Sequence, residues 1–219
     1  MVRHYFIVVL SVFNGFFDVI QGFLLQNDPD IRIESVAGNT LLYNGDMQQK
    51  LSAIPELRAA ASYVEGKALL AQQSNSDKVV DVRGISAEEY FKVNNLQESL
   101  ESGTVNLSVQ NKKPGMLVNQ QLQNELESKS ETRWYCSAPT VCVNHSLSFS
   151  LPRSYRFEVR GFYSRLQITD GPAVYIDKEA AQRLFEMRNM VSGIDLRLQN
   201  TNQAEEVKQI AASHSWIRF

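Results

Sequence analysis

The chain has 219 residues, with 22 basic and 24 acidic side chains and a formal net charge of −2. This length accommodates one large domain or two small ones. Because the basic residues are dispersed and the net charge is near zero, the sequence lacks the basic stripe that is typical of nucleic-acid-binding domains.

The segment Tyr5–Leu25 is the most apolar part of the chain, since 15 of its 21 residues are apolar or aromatic. Its polar residues recur every three or four positions, which on a helix forms one stripe. A helix of about 20 residues crosses a bilayer core, but Asp18 is costly near the bilayer centre. We therefore predict that Tyr5–Phe17 is membrane-derived and that a stalk follows. No later window is apolar enough for a second span.

Two other interpretations of this segment stay open. A secretory signal peptide has a basic start, which Arg3 supplies, but it also has a cleavage site with small residues, and residues 14–28 contain none. A buried amphipathic helix has the same periodicity as a membrane-derived one. On the membrane interpretation, the side chains expected to face lipid or a partner helix are Phe13, Phe16, Phe17, Ile20, Phe23 and Leu24.

Strand patterns recur through residues 28–95. Residues 31–34 alternate apolar and charged side chains, as a half-buried strand does. Residues 58–73 are long enough for a bent strand with Gly66 at the bend. A turn then leads into a further strand over residues 78–85.

Two helices are predicted between these strands. Asp46 is the expected N-cap of a short helix that runs to Ile54. Ser86, with Glu89 three residues later, forms a capping box for the helix Ala87–Val93.

The middle of the chain, residues 96–152, is less regular. It contains a short strand at Met116–Val118 and a helix from Asn119 through Leu126. A strand at Thr132–Ser137 follows, and then a β-leaning segment bounded by Pro139 and Pro152.

Alternating elements return in residues 153–219. Tyr155–Phe162 alternates as a strand, and Asp177 is the expected N-cap of the helix Lys178–Met187. The other predicted elements are strands at Ala173–Ile176, Gly193–Leu198 and Trp216–Phe219 and a helix from Asn202 to about Ser213. Helices thus alternate with strands at both ends around a β-rich middle, which predicts an α+β fold whose first and last thirds form one layered unit.

Several short stretches resemble, in order, those of lipoprotein-releasing ABC permeases. The first is Ser11–Phe16, which reads SVFNGF and precedes a stalk, a proline and a strand. The later ones are Tyr63–Gly66, Ala68–Leu70, Val82–Ile85, Phe157–Tyr163, Val174–Ile176, Ala180–Phe185 and Val191–Leu196. Over nearly its whole length the chain resembles the MacB-like periplasmic core domain, nearest to the Lol lipoprotein-release branch.

This resemblance implies a two-part α+β periplasmic domain, preceded by a membrane-derived N-terminal helix. Both chain ends, residues 28–95 and 153–219, would form a Porter-like α/β layer, and residues 96–152 a β-rich Sabre-like insert. Residues 1–27 would be the end of the first transmembrane helix and its stalk. Full permeases of this kind have more membrane helices, so we expect this sequence to be one piece of a longer permease. It departs from the family at residues 127–131, which replace a glycine–aspartate pair.

The implied function is that of the extracytoplasmic domain of an ABC transporter permease, which couples ATP-driven helix motion to lipoprotein release or carrier docking. The implied partners are a partner permease subunit, an ABC ATPase subunit, a lipoprotein cargo and a periplasmic lipoprotein carrier. The implied location is the bacterial inner membrane, with the domain facing the periplasm. The alternative is a self-standing, membrane-anchored or secreted periplasmic binding module. Further apolar spans encoded after Phe219 would favour the permease.

In the Lol branch, a proline-bounded hook engages the lipoprotein carrier, and the matching positions here run from Pro139 to Pro152. Apolar residues alternate along this stretch, so one edge of a hairpin would present them to a partner. The competing interpretation is that they pack on the β-rich insert. The candidate partner-binding residues are Val141, Val143, Leu147, Phe149 and Leu151.

Cys136 and Cys142 enclose a five-residue stretch that contains the turn-favouring Pro139. In an oxidising periplasm a disulfide between them is one expectation. Two packed free thiols are the other, because free cysteine is often buried and strand geometry can hold the sulfurs apart.

The sequence shows no catalytic or metal-binding pattern. The histidines His4, His145 and His214 lie in different parts of the chain, and none has a cysteine or aspartate at ligand spacing. Gly161 and Gly171 form neither a dinucleotide-binding nor a Walker loop. We therefore predict a protein that is not an enzyme and has no cofactor. The resemblance assigns the ATP site to a separate subunit.

Overall fold

The computed structural model describes residues 9–16, 29–35, 40–54, 56–72, 78–125, 133–137, 154–164 and 174–200, together with residues 204 and 207. The strands are β1 (Ile31–Glu34), β2 (Leu41–Leu42), β3 (Leu57–Gln72), β4 (Lys78–Ile85), β5 (Leu100–Gly103), β6 (Gly115–Asn119), β7 (Arg133–Ser137), β8 (Ser154–Tyr163), β9 (Val174–Asp177), β10 (Met190–Val191) and β11 (Gly193–Leu198). The helices are α1, described over residues 9–16, α2 (Gly45–Ser52), α3 (Ala87–Val93), α4 (Gln120–Glu125) and α5 (Lys178–Leu184).

Nine strands form one mixed sheet in the order β1-β11-β3-β4-β9-β6-β8-β5, and β7 pairs with both β3 and β8. Because β7 bridges those two strands, β3, β4, β9, β6, β8 and β7 are hydrogen-bonded in a closed circuit. Strands β11 and β1 extend the sheet from the first half of β3. Strands β2 and β10 form a separate small sheet.

The sheet buries apolar side chains on both faces, because successive strand residues point to opposite sides. The larger core includes Val64 and Val82 and packs against α2 and α5. The smaller core includes Tyr63 and Ile85 and packs against α3. The α+β class predicted from the sequence is confirmed.

Most predicted strands agree with the structure. Strands β4 and β11 and helix α3 have the predicted bounds, and β3 is shifted by one residue. The bend at Gly66 stays a prediction, and the structure shows a close contact at this glycine. A Cβ at this position would lie 2.7 Å from the Phe185 ring, so glycine makes room for an aromatic side chain. The sequence reading missed β2, β5 and β10.

The start of α2 corrects one predicted cap. Asn44, not Asp46, is the N-cap, and its side-chain oxygen accepts a hydrogen bond from the Met47 backbone N–H at 3.0 Å. The helix ends at Ser52, two residues before the predicted Ile54. Asp46 lies in the first turn instead, where a negative charge is favourable.

The predicted capping box of α3 is wrong. Ser86 precedes the helix, but its side chain makes no capping hydrogen bond. The Glu89 carboxylate instead accepts a hydrogen bond from Lys178 at 3.3 Å, so it does not reach back to the helix start. At α5 the prediction is confirmed, because Asp177 accepts hydrogen bonds from the Glu179 and Ala180 N–H groups at 3.1 and 3.3 Å.

Helix α5 lies directly on β4. A Cβ added at Gly84 would collide with the Ala181 side chain, which is fully buried. Glycine is therefore required here by the close approach of helix and strand.

Candidate functional site

The residues just before β1 and those just after β11 lie side by side. Strands β1 and β11 are antiparallel neighbours, so the start of β1 is adjacent to the end of β11. Asp30, just before β1, accepts hydrogen bonds from the Leu198 N–H at 2.7 Å and from Arg197 Nη1 at 3.1 Å. We call Asp30, Arg197 and Leu198 the chain junction.

The junction is also tied to α3 and β3. Arg197 Nε and Nη2 both donate to the Val93 carbonyl oxygen, at 3.0 and 2.6 Å, at the C-terminal end of α3. A cation at this end of a helix is favourable. The Gln199 N–H donates to the Glu56 carbonyl oxygen beside the start of β3. The residues at the end of β11 are thus tied to α3 and to the start of β3.

A chain of charged side chains runs from the junction edge into the sheet. Arg32 on β1 donates through Nε to Asp195 on β11 at 2.8 Å. The other carboxylate oxygen of Asp195 lies 3.5 Å from Nη1 of Arg83 on β4. Arg83 in turn donates to Glu65 on β3, at 3.0 Å from Nε. We call Arg32, Glu65, Arg83 and Asp195 the charge network; it crosses β1, β11, β3 and β4.

The centre of the charge network is buried. The side chain of Asp195 is 0% exposed and that of Arg83 only 6%. Within the described residues, Asp195 Oδ2 has no hydrogen-bond partner, so its charge depends on the longer contact with Arg83. A buried acceptor without a hydrogen bond costs free energy, and an unpaired buried charge costs more.

Tyrosines surround the network. The Tyr63 ring lies against Arg83, whose guanidinium carbon is 4.2 Å from the ring centroid, and its hydroxyl donates to Glu34 at 3.2 Å. Burial raises the pKa of Tyr63 above its usual value. Burial alone would lower the pKa of Arg83, but the acidic groups of Tyr90, Asp195 and Glu65 outweigh it and raise that pKa. The guanidinium therefore stays charged.

Within the described residues, helix α1 carries apolar side chains that belong to neither core. Its described residues include Val12, Phe13 and Phe16, which are 60–68% exposed. This agrees with the expectation that Phe13 and Phe16 do not pack inside the domain. Among the described residues, no helix is both long and apolar enough to cross a membrane.

The hook-like candidates lie outside the described residues. These are Val141, Val143, Leu147, Phe149 and Leu151. Of the two cysteines, Cys136 lies in β7, opposite Leu70 on one side and Tyr155 on the other. Cys142 lies outside the described ranges. The three histidines do so as well, and the described part of the chain holds no group of three or more His, Cys, Asp or Glu that could bind a metal.

The sequence reading missed the charge network. Arg83 and Asp195 lie in strands that also carry other charges, Lys78 and Asp81 in KVVDVRGI and Arg197 in GIDLRL, so no local signal marks these two as buried. Asp195 alternates with the apolar Ile194 and Leu196, a pattern that predicts the polar face of the strand, yet its side chain is fully buried. The partner itself could not be identified locally, since Arg32 and Asp195 are 163 positions apart.

A family model described as the MacB-like periplasmic core domain matches residues 5–213. Two solved structures share the fold. The extracellular domain of the noncanonic ABC-type transporter YknZ from Gram-positive bacteria is 11% identical, with a TM-score of 0.54, over 86% of this chain and 100% of that one. The periplasmic region of MacB from Actinobacillus actinomycetemcomitans is 14% identical, with a TM-score of 0.55, over 84% and 83%. No curated protein matches the sequence.

Proposed function

Because the chain belongs to the family of MacB-like periplasmic core domains, it is the extracytoplasmic domain of an ABC-type transporter permease, and we propose that this permease is of the lipoprotein-releasing type. In this role the domain couples ATP-driven motion of membrane helices to lipoprotein release or carrier docking. The partners are a second permease subunit, an ABC ATPase subunit, the lipoprotein cargo and a periplasmic carrier. The location is the bacterial inner membrane, with the domain in the periplasm.

The observation that carries the coupling role is the fixed connection between β1 and the sheet. Strand β1 follows α1 in the chain and is only four residues long. Backbone pairing, the Asp30–Arg197 pair and the charge network join it to β11, β3 and β4. A force on β1 would therefore be carried by four strands of the sheet instead of peeling an edge strand away.

The exposed side chains of α1 support a membrane-side position for this end of the domain. A contiguous apolar surface on a soluble domain marks an interaction site, and Val12, Phe13 and Phe16 suit lipid or a partner helix. We propose that residues 1–27 are the membrane-side segment, residues 28–95 and 153–219 the Porter-like layer, and residues 96–152 the Sabre-like insert. Strands from 96–152 pair directly with β3, β8 and β9, so insert and layer share one sheet.

Coupling is tested in proteoliposomes that contain the complete permease, its ATPase subunit and a lipoprotein. We expect ATP-dependent release of the lipoprotein to a soluble carrier. Asp30→Asn keeps an acceptor for the Leu198 N–H but removes the charge that faces Arg197. It should lower the amount of lipoprotein released per ATP hydrolysed while ATP hydrolysis continues. Absence of ATP-dependent release in the unmodified complex would exclude the lipoprotein-releasing type. If the variant releases as much lipoprotein per ATP hydrolysed as the unmodified complex, the junction is excluded as a coupling element.

The hook-like segment is the proposed docking site for the carrier. Replacing Leu147 and Phe149 with serine should weaken carrier binding with little effect on the melting temperature. The matched control replaces Val79 and Val109 with serine, since both are exposed apolar residues elsewhere on the domain. A large fall in melting temperature, or undiminished binding by the folded double variant, would remove this segment as the docking site.

A further inference from the structure

A cleft of about 640 Å³ opens beside the chain junction. Three cationic side chains line it: Arg58 from the start of β3, Lys92 from the last turn of α3 and Arg197 from β11. Asn95 adds a polar group, and Phe91, which packs partly against the smaller core, adds an apolar wall. Of the described residues that line the cleft, none is acidic.

The cations of the cleft are of two kinds. Arg197 is held in place by Asp30 and by the Val93 carbonyl oxygen. Arg58 and Lys92 are exposed, and neither has an ion-pair partner in the part of the chain that the structure describes. In the described part of the chain, the lining of the cleft holds three cations, of which Arg197 is paired with Asp30. Two exposed cations beside a guanidinium that is held in place suit an anion.

The chemistry of these groups favours a phosphate. A guanidinium presents donors in a planar fork that matches phosphate oxygens, and an ammonium group adds a point charge. The Asn95 amide can donate as well. The apolar wall at Phe91 suits a phosphate that carries an organic substituent.

The position of the cleft indicates where such a phosphate comes from. The cleft lies at the end of the sheet where β1 begins and β11 ends, so both connections leave the sheet next to it. The proposed permease function implies that these connections run towards the membrane. The surface of an anionic membrane attracts Lys and Arg side chains at about 1 kcal/mol each, which corresponds to roughly 5-fold in affinity.

We propose that this cleft binds the phosphate of an anionic phospholipid headgroup and thereby holds the domain against the membrane surface. This inference rests on the proposed function, because it takes the junction end as the membrane side. It goes beyond that function by assigning Arg58 and Lys92 to lipid recognition.

The test is flotation of the full chain with vesicles of phosphatidylcholine alone and with vesicles that also contain phosphatidylglycerol. The measured quantity is the affinity for vesicles with phosphatidylglycerol divided by the affinity for vesicles of phosphatidylcholine alone. This ratio is used because α1 contributes to binding in both. The double variant Arg58→Gln, Lys92→Gln should lower this ratio by about 30-fold. The control Lys112→Gln, Lys113→Gln removes the same charge from the turn before β6 and should keep the ratio. Far-UV circular dichroism verifies that both variants are folded.

An equal loss in the control would show general charge attraction and overturn the cleft assignment. If inorganic phosphate, added at the concentration of the lipid, abolishes the dependence on phosphatidylglycerol, the ligand is free phosphate and the lipid assignment fails. If the chain binds both vesicles equally, the cleft proposal fails and the permease function stands. If it binds neither, the membrane-side placement fails together with the cleft.

Discussion

Asp195→Asn is the substitution that tests the charge network most directly. Asparagine has nearly the same shape as aspartate and keeps an oxygen that can accept from Arg32 Nε. It removes the negative charge that Arg32 and Arg83 share. The two guanidinium groups would then face an uncharged side chain at a position that is 0% exposed.

The expected loss of unfolding free energy follows from burial. Breaking a buried ion pair by removing one partner costs about 3–5 kcal/mol. Here the lower end applies, because Arg32 is 39% exposed and Arg83 still binds Glu65. We therefore expect a loss of about 3 kcal/mol. That is a large part of the stability of a typical domain.

The assay is urea unfolding of the detergent-solubilised chain, followed by far-UV circular dichroism. Asp81→Asn is the matched control, because Asp81 also pairs at 2.8 Å, with Lys67, but the two side chains are 44% and 70% exposed. Exposed pairs contribute at most about 1 kcal/mol. If Asp195→Asn costs no more than Asp81→Asn, the network does not stabilise the sheet and the argument for coupling through it is refuted.

Three further predictions concern other parts of the domain. Gly84→Ala should lower the unfolding free energy by about 2 kcal/mol in the same assay, because the new methyl group overlaps α5. The control Gly45→Ala should have little effect, because there is open space around Gly45. Equal effects of the two substitutions would disprove the close approach of α5 to β4. Burial raises the pKa values of Tyr63 and Tyr90, so the folded state keeps protons that the unfolded state releases above about pH 10. Stability should fall above that pH by about 1.4 kcal/mol per unit for each phenol, whereas a flat stability profile there would contradict their burial. If the two cysteines form a disulfide, alkylation without reductant followed by mass spectrometry will find no free thiol; two alkylated thiols would exclude the bond.

The sequence by itself determined the elements whose signal is local. Strand β4, strand β11 and helix α3 have the predicted bounds, because alternation and helical periodicity are set by neighbouring residues and by which face must be buried. The cap at Asp177 was predictable for the same reason, since its hydrogen bonds reach only two and three residues onward. The resemblance of scattered motifs was enough to indicate the family, which the match over residues 5–213 confirms.

The tertiary structure alone decided everything that depends on distant partners. The capping box at Ser86 failed because Lys178, far along the chain, binds the Glu89 carboxylate. The closed circuit of strands depends on β7 reaching both β3 and β8, and no local pattern encodes that pairing. The charge network is the clearest case. Strands β4 and β11 each carry several charges, and the register of four strands, which only the packing of the whole sheet determines, selects the ones that are buried together.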